Sequence, residues 1–189
     1  GASQHNTTGD CNVAIGCQAS NCNSTANSNV AVGSKALFNN TAGDMLAVGS
    51  CALAANTTGV RNTAVGNQSL CSNVCHNDNT SVGIYALKCS TSNANTAIGS
   101  RALQFTSTGD GNNTAVGYAA LYCNGASGYS TAVGSNALYQ STGIQNTAHG
   151  YAASYGNTDG TCNTAVGAFS LYCNSGGDYN VAVGRTALR

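Results

Sequence analysis

Asn113-Thr114-Ala115-Val116-Gly117 reads NTAVG, and the same five letters return at Asn62–Gly66 and Asn163–Gly167. Variants fill the rest of the chain: NVAIG from Asn12, NVAVG from Asn29 and Asn180, NTSVG from Asn79, NTAIG from Asn95, STAVG from Ser130 and NTAHG from Asn146. Aligned on the closing glycine, eleven copies fall 16 to 18 residues apart, at Gly16, Gly33, Gly49, Gly66, Gly83, Gly99, Gly117, Gly134, Gly150, Gly167 and Gly184. A period this short, held over the whole chain, is the mark of a solenoid.

The columns of this alignment carry the physics. The residue before Gly is Val or Ile, except His149; two before is Ala, except Ser81; three before is Thr or Val, with Leu46 once. Four before is Asn, except Met45 and Ser130; four after is Leu, except Ser20 and Ser154. The [TV]-A-[VI]-G phrase alternates with period 2 and is β-branched, so it predicts a strand. Length variation falls between the blocks, among Asn, Thr, Ser and Gly turn residues. The fold class is therefore all-β: a parallel β-solenoid (β-roll) of about eleven rungs, one domain over 1–189, and a segment or subunit of a longer fibre. The first strand ends at Gly, and a second short strand or bend carries the Ala-Leu pair.

Alternation says which residues share a face, not which face is inside. The simplest assignment points Val/Ile, Thr/Val and the later Leu inward, leaving a flat outer stripe of Ala and Gly suited to lateral association. The inverse, Ala in a thin core with Thr/Val lining an interface, obeys the same alternation. Thr63, Thr80, Thr96, Thr114, Thr131, Thr147 and Thr164 then form a core or interface ladder on seven successive rungs. The Asn column is expected at a corner, with side-chain amides bonding from rung to rung.

The phrase N-[TV]-A-[VI]-G, followed by a small residue and Leu, resembles the head repeats of trimeric autotransporter adhesins. It is also similar to fibre segments of phages and large viruses. The resemblance runs from Asn12 to Leu188. It implies a left-handed parallel β-roll, association of three chains, and a role in adhesion or display at a surface.

Composition narrows the function. Only 6% of residues are charged, and Lys+Arg equals Asp+Glu, so no basic surface exists for nucleic acid or an anionic membrane. No run of ~20 apolar residues is present to insert in a membrane. The sequence opens within a repeat and without a signal-peptide pattern, so a processed or excised N-terminus is expected. Six acids and three histidines, His5, His76 and His149, lie in unrelated repeat phases; neither GxxxxGK[ST] nor GxGxxG occurs. No enzyme activity and no cofactor are expected.

Ten cysteines without a CxxC motif suggest disulfides in an oxidising compartment. Cys11 and Cys22 share the spacing of Cys162 and Cys173, so both are candidate bridges; Cys71 and Cys89, on adjacent rungs, are a third. Sequons at Asn6, Asn23, Asn39 and Asn56 share one phase and would place a column of glycans on a loop edge, unless they arise by chance in an Asn- and Thr-rich chain. Tyr122, Tyr139, Tyr155 and Tyr172 stand five after Gly on four successive rungs, an aromatic ladder open to self-stacking, a sugar or a partner chain. The leading expectation is an extracellular, fibre-forming repeat protein at a cell or virion surface, whose partners are copies of itself. An adhesin or receptor-binding head for surface glycans or proteins is the alternative, and ice binding the third.

Overall fold

The computed structural model describes residues 1–106, 110–125 and 128–189. Each repeat phrase is a three-residue strand: β1 (Val13–Ile15), β2 (Val30–Val32), β3 (Leu46–Val48), β4 (Thr63–Val65), β5 (Thr80–Val82) and β6 (Thr96–Ile98). The series continues with β8 (Thr114–Val116), β10 (Thr131–Val133), β12 (Thr147–His149), β13 (Thr164–Val166) and β14 (Val181–Val183). These eleven strands pair in parallel, each with the next copy, in one sheet. Register is letter on letter: Thr63 lies beside Thr80, Ala97 beside Ala115, Val133 beside His149. Three two-residue strands, β7 (Phe105–Thr106), β9 (Cys123–Asn124) and β11 (Gln140–Ser141), make a second parallel sheet. The chain is all-β, a parallel β-solenoid of about ten turns.

In the strands the facing is the reverse of the simplest assignment, while the later Leu points inward as that assignment has it. Strand alanines such as Ala31, Ala64, Ala97, Ala132 and Ala165 are fully buried, while Ile15, Ile98, Val181 and Val183 are exposed. The Ala-Leu pair is not a second strand. It lies in a bend in which both members point inward: Ala36 and Leu37, Ala52 and Leu53, Ala137 and Leu138 are all buried. Neighbouring residues share a side because the backbone alternates in handedness there. The second and fourth residues after each Gly have positive φ, as at Lys35 (57°) and Leu37 (51°), and so does the fifth before it, as at Arg61 (55°). A left-handed non-glycine residue costs roughly 1–2 kcal/mol. Burying a Leu returns about 1.5–3 kcal/mol, and the bend keeps its hydrogen bonds. Lys35 N donates to Cys17 O of the preceding coil at 2.9 Å, and Leu37 N to Ala52 O of the following coil at 3.0 Å.

The interior is one small side chain wide. Ser69, in the bend of one coil, donates to the hydroxyl of Ser81 in the strand of the next at 2.6 Å, across the tube. Where the alignment departs from Ala at Ser81, the facing wall therefore carries its partner, and Ser81 Oγ also donates to Ala86 O at 2.9 Å. The two corners hold asparagine. Four before Gly, the side-chain oxygen accepts the backbone N–H of the equivalent residue one coil on: Asn62 Oδ1 from Asn79 N at 2.9 Å is followed by Asn79 Oδ1 from Asn95 N at 3.0 Å, and Asn146 Oδ1 accepts from Asn163 N at 2.9 Å. Seven after Gly stands a second buried column that includes Asn40, Asn56 and Asn73. Here the amides donate to one another, Asn56 to Asn40 at 2.8 Å and Asn73 to Asn56 at 3.1 Å. Met45 interrupts the first column. Asn62 N meets its Sδ at 3.5 Å, a weak acceptor, and Asn29 Nδ2 has no hydrogen-bond partner among the described residues.

The anchoring glycines have φ between 118° and 139°, a region closed to side chains. A Cβ on Gly99 would also sit 2.5 Å from the carbonyl oxygen of Gly117 and 2.7 Å from its carbon. Gly99→Ala is expected to cost about 3 kcal/mol or more, from φ strain together with the overlap, read by chemical denaturation. Asn79 Oδ1 also accepts from Asn95 Nδ2, and its Nδ2 donates to Ser92 O at 3.1 Å. Asn79→Ala strands buried partners, Asn95 and Ser92, on the following coil and is expected to cost about 2–4 kcal/mol in the same assay.

Candidate functional site

Turning Ala inward turns two complete columns outward. The positions three and one before Gly form a surface eleven strands long, with Val, Leu or Thr in one row and Val, Ile or His in the other. Strands at ~4.8 Å make this face roughly 50 Å long. It carries no charged residue, and His149 is its only titratable side chain. Ile15 (59%), Val181 (67%) and Val183 (69%) are the most exposed at its two ends, and Val82 and Ile98 are exposed at its centre.

The seven ladder threonines lie on this outer face and not in the core. Thr63, Thr80, Thr96, Thr114, Thr131 and Thr164 are half-buried by their neighbours in the row, and Thr147 is exposed. Their register is held by the strand backbones. Among the described residues no hydroxyl of this row is engaged within the chain, so the row keeps its donors for whatever covers it. His149, expected in the core in place of Val, is on the same surface, flanked in register by Val133 and Val166.

The four tyrosines form a stack. Ring centroids are 4.9 Å apart for Tyr122–Tyr139 and for Tyr139–Tyr155, and 5.2 Å for Tyr155–Tyr172, with nearly parallel planes. Phe105 packs edge-on beneath Tyr122 at 5.3 Å, and the Arg189 guanidinium lies 5.7 Å from the Tyr172 ring. Ring faces are thus used by one another, which is self-stacking and leaves no open face for a sugar. Burial first, then the phenols of Tyr122 and Tyr155, push the Tyr139 phenol above its ordinary value.

None of the three expected disulfides forms, and all ten cysteines are free thiols. Side chains at the corners stack along the rod within their own columns and do not reach across a coil. Cys22 Sγ approaches Asn39 Oδ1 of the next coil at 4.0 Å, away from Cys11. Cys162 Sγ donates to Gln145 Oε1 of the preceding coil at 3.3 Å, away from Cys173. Cys71 stands in the tyrosine column and Cys89 one column over, beside Phe105 and Cys123, where the three line an open apolar groove. The sequon column also divides. Asn23 and Asn56 are fully buried in the second asparagine ladder and cannot carry a glycan in the folded chain. Asn6, in the first coil, and Asn39, one residue before the ladder, are exposed.

That second ladder is a structural feature that the repeat columns around Gly do not single out. Its signal was present, because Asn stands seven after Gly in seven copies. Among the described residues no three His, Cys, Asp or Glu side chains gather as a metal site, and no helix is long and apolar enough to cross a membrane. No protein-family model, curated protein or solved structure matches the chain.

Burial, then the nearby Cys51, raises the Cys71 thiol, and thiolate is the reactive form. Mass analysis after alkylation without reductant is expected to find all ten cysteines modified, with Cys71 slower than the exposed Cys17 and Cys75.

Proposed function

We propose that the chain is a structural, self-assembling β-solenoid that associates laterally through the Thr/Val face, with a second copy of itself as the occupant. The observation that carries this reading is the unbroken, uncharged double column of β-branched side chains on eleven strands. Strands of three residues are ~10 Å long, so the face covers about 500 Å² per copy; a pair would bury about 1,000 Å², the size at which specific interfaces begin. A charged partner has nothing to pair with there. A second copy brings the same flat rows at the same spacing. The repeat's likeness to adhesin heads and viral fibres supports an assembly of three, displayed extracellularly on a cell or virion surface. Catalysis is no part of the proposal.

One observation favours a second reading. A flat, regular row of seven outward threonines with free hydroxyls is a surface able to order water, as ice binding requires.

Thr96→Glu with Ile98→Lys places two charges at the middle of the face, on β6. The double variant is expected to sediment as a monomer where the unaltered chain sediments as an oligomer. Unfolding should shift by only about 0.5 kcal/mol per site, because both side chains already meet solvent. An unaltered chain that stays monomeric at high concentration would refute the assembly. Thermal hysteresis from that monomer, lost in the variant, would establish ice as the occupant instead.

A further inference from the structure

The tyrosine stack is a chemical arrangement as well as a packing one. Tyr139 and Tyr155 are related almost by pure translation, 4.9 Å between centroids and 0° between planes; Tyr122 and Tyr139 show 4.9 Å and 7°. All four rings are half-buried, with their faces turned to one another in the stack. No phenol of the stack is tied to another described residue by a hydrogen bond. The oxygen and the ring carbons beside it therefore lie next to their counterparts on the neighbouring coil, along a column four residues deep. Of the chain's nine tyrosines, no pair outside this column is in ring contact.

We infer that this column is a site of oxidative coupling, where a peroxidase-class one-electron oxidant joins tyrosines of consecutive coils as dityrosine. Each of two neighbouring phenols loses one electron and one proton. The two phenoxyl radicals form a carbon–carbon bond between ring positions adjacent to oxygen. The hydrogens on those two carbons leave as protons while both oxygens are reprotonated, which restores the aromatic rings. In total two hydrogen atoms are removed, and one hydrogen peroxide accepts them and becomes two waters. The product is a covalent tie between coils 16 or 17 residues apart in sequence, with Tyr139 to Tyr155 and Tyr122 to Tyr139 as the respective spans. The stack holds both partners in place before oxidation, so coupling within one chain outruns the encounter of two chains. The inference does not depend on what covers the Thr/Val face.

Free thiols reduce phenoxyl radicals, and Cys123 lies near enough to Tyr139 to influence its ionisation. The experiment therefore uses the full chain with its cysteines alkylated, treated with a haem peroxidase and hydrogen peroxide. The expected result is dityrosine fluorescence, a chain of unchanged size that has lost two hydrogens per link, and cross-linked peptides joining Tyr122–Tyr139, Tyr139–Tyr155 or Tyr155–Tyr172. Tyr139→Phe with Tyr155→Phe keeps the stacking rings but separates the remaining phenols by three coils, and should abolish the intrachain link. Circular dichroism confirms that this variant folds. Links that map to Tyr85, Tyr118, Tyr129, Tyr151 or Tyr179, links only between chains, or equal fluorescence from the double variant would each overturn the inference.

Discussion

Everything in this rod follows from an interior that admits only small side chains between its walls. The Ser69–Ser81 hydrogen bond measures that width directly, because hydroxyls on opposite walls touch at 2.6 Å. A strand valine cannot turn inward where a serine already reaches across, so Ala takes the inner position and the branched residues go outside. Leu fits only where the bend gives it room, four residues after Gly, and the chain accepts a left-handed backbone to put it there. The same closeness makes the corners polar. A bend buried in so thin a tube must satisfy its own peptide groups, and asparagine, carrying both a donor and an acceptor, does so on most turns.

Much of this was legible in the letters. The glycine spacing located all eleven strands, and the alternating phrase set their parallel, in-register pairing. Facing was not legible, for a physical reason. Period-2 alternation is symmetric under exchange of the two faces, and hydrophobicity favours Val over Ala inside. Only the width of the tube breaks that tie, and width is a property of the closed coil. A hint did exist in the columns themselves. Position two before Gly stays Ala with one Ser, whereas its neighbours drift among Val, Ile, Leu, Thr and His, and a position that tolerates only the smallest residues is enclosed.

The candidate sites divide along the same line. The tyrosine ladder could be read because a column is defined by sequence phase alone. The bridges at Cys11, Cys22, Cys162 and Cys173 could not, because pairing across a coil depends on where corner side chains point, and Cys22 and Cys162 turn to their own columns on the adjacent coil. Asn39 and Asn56 look alike as sequons, yet the coil of Asn39 is out of step by one residue, which separates an exposed amide from a buried one.

Hydrogen bonds between coils run along the rod. An axial load would be shared in parallel by the bonds at each coil boundary, while the boundaries themselves act in series. Tensile strength is then set by the poorest boundary and not by the number of coils, so lengthening such a rod leaves its breaking force unchanged. At Met45 an asparagine rung is replaced by a thioether, and Asn29 Nδ2 has no hydrogen-bond partner there among the described residues, although Asn29 Oδ1 still accepts from Met45 N. The joints beside β3 are where this solenoid should first part under tension.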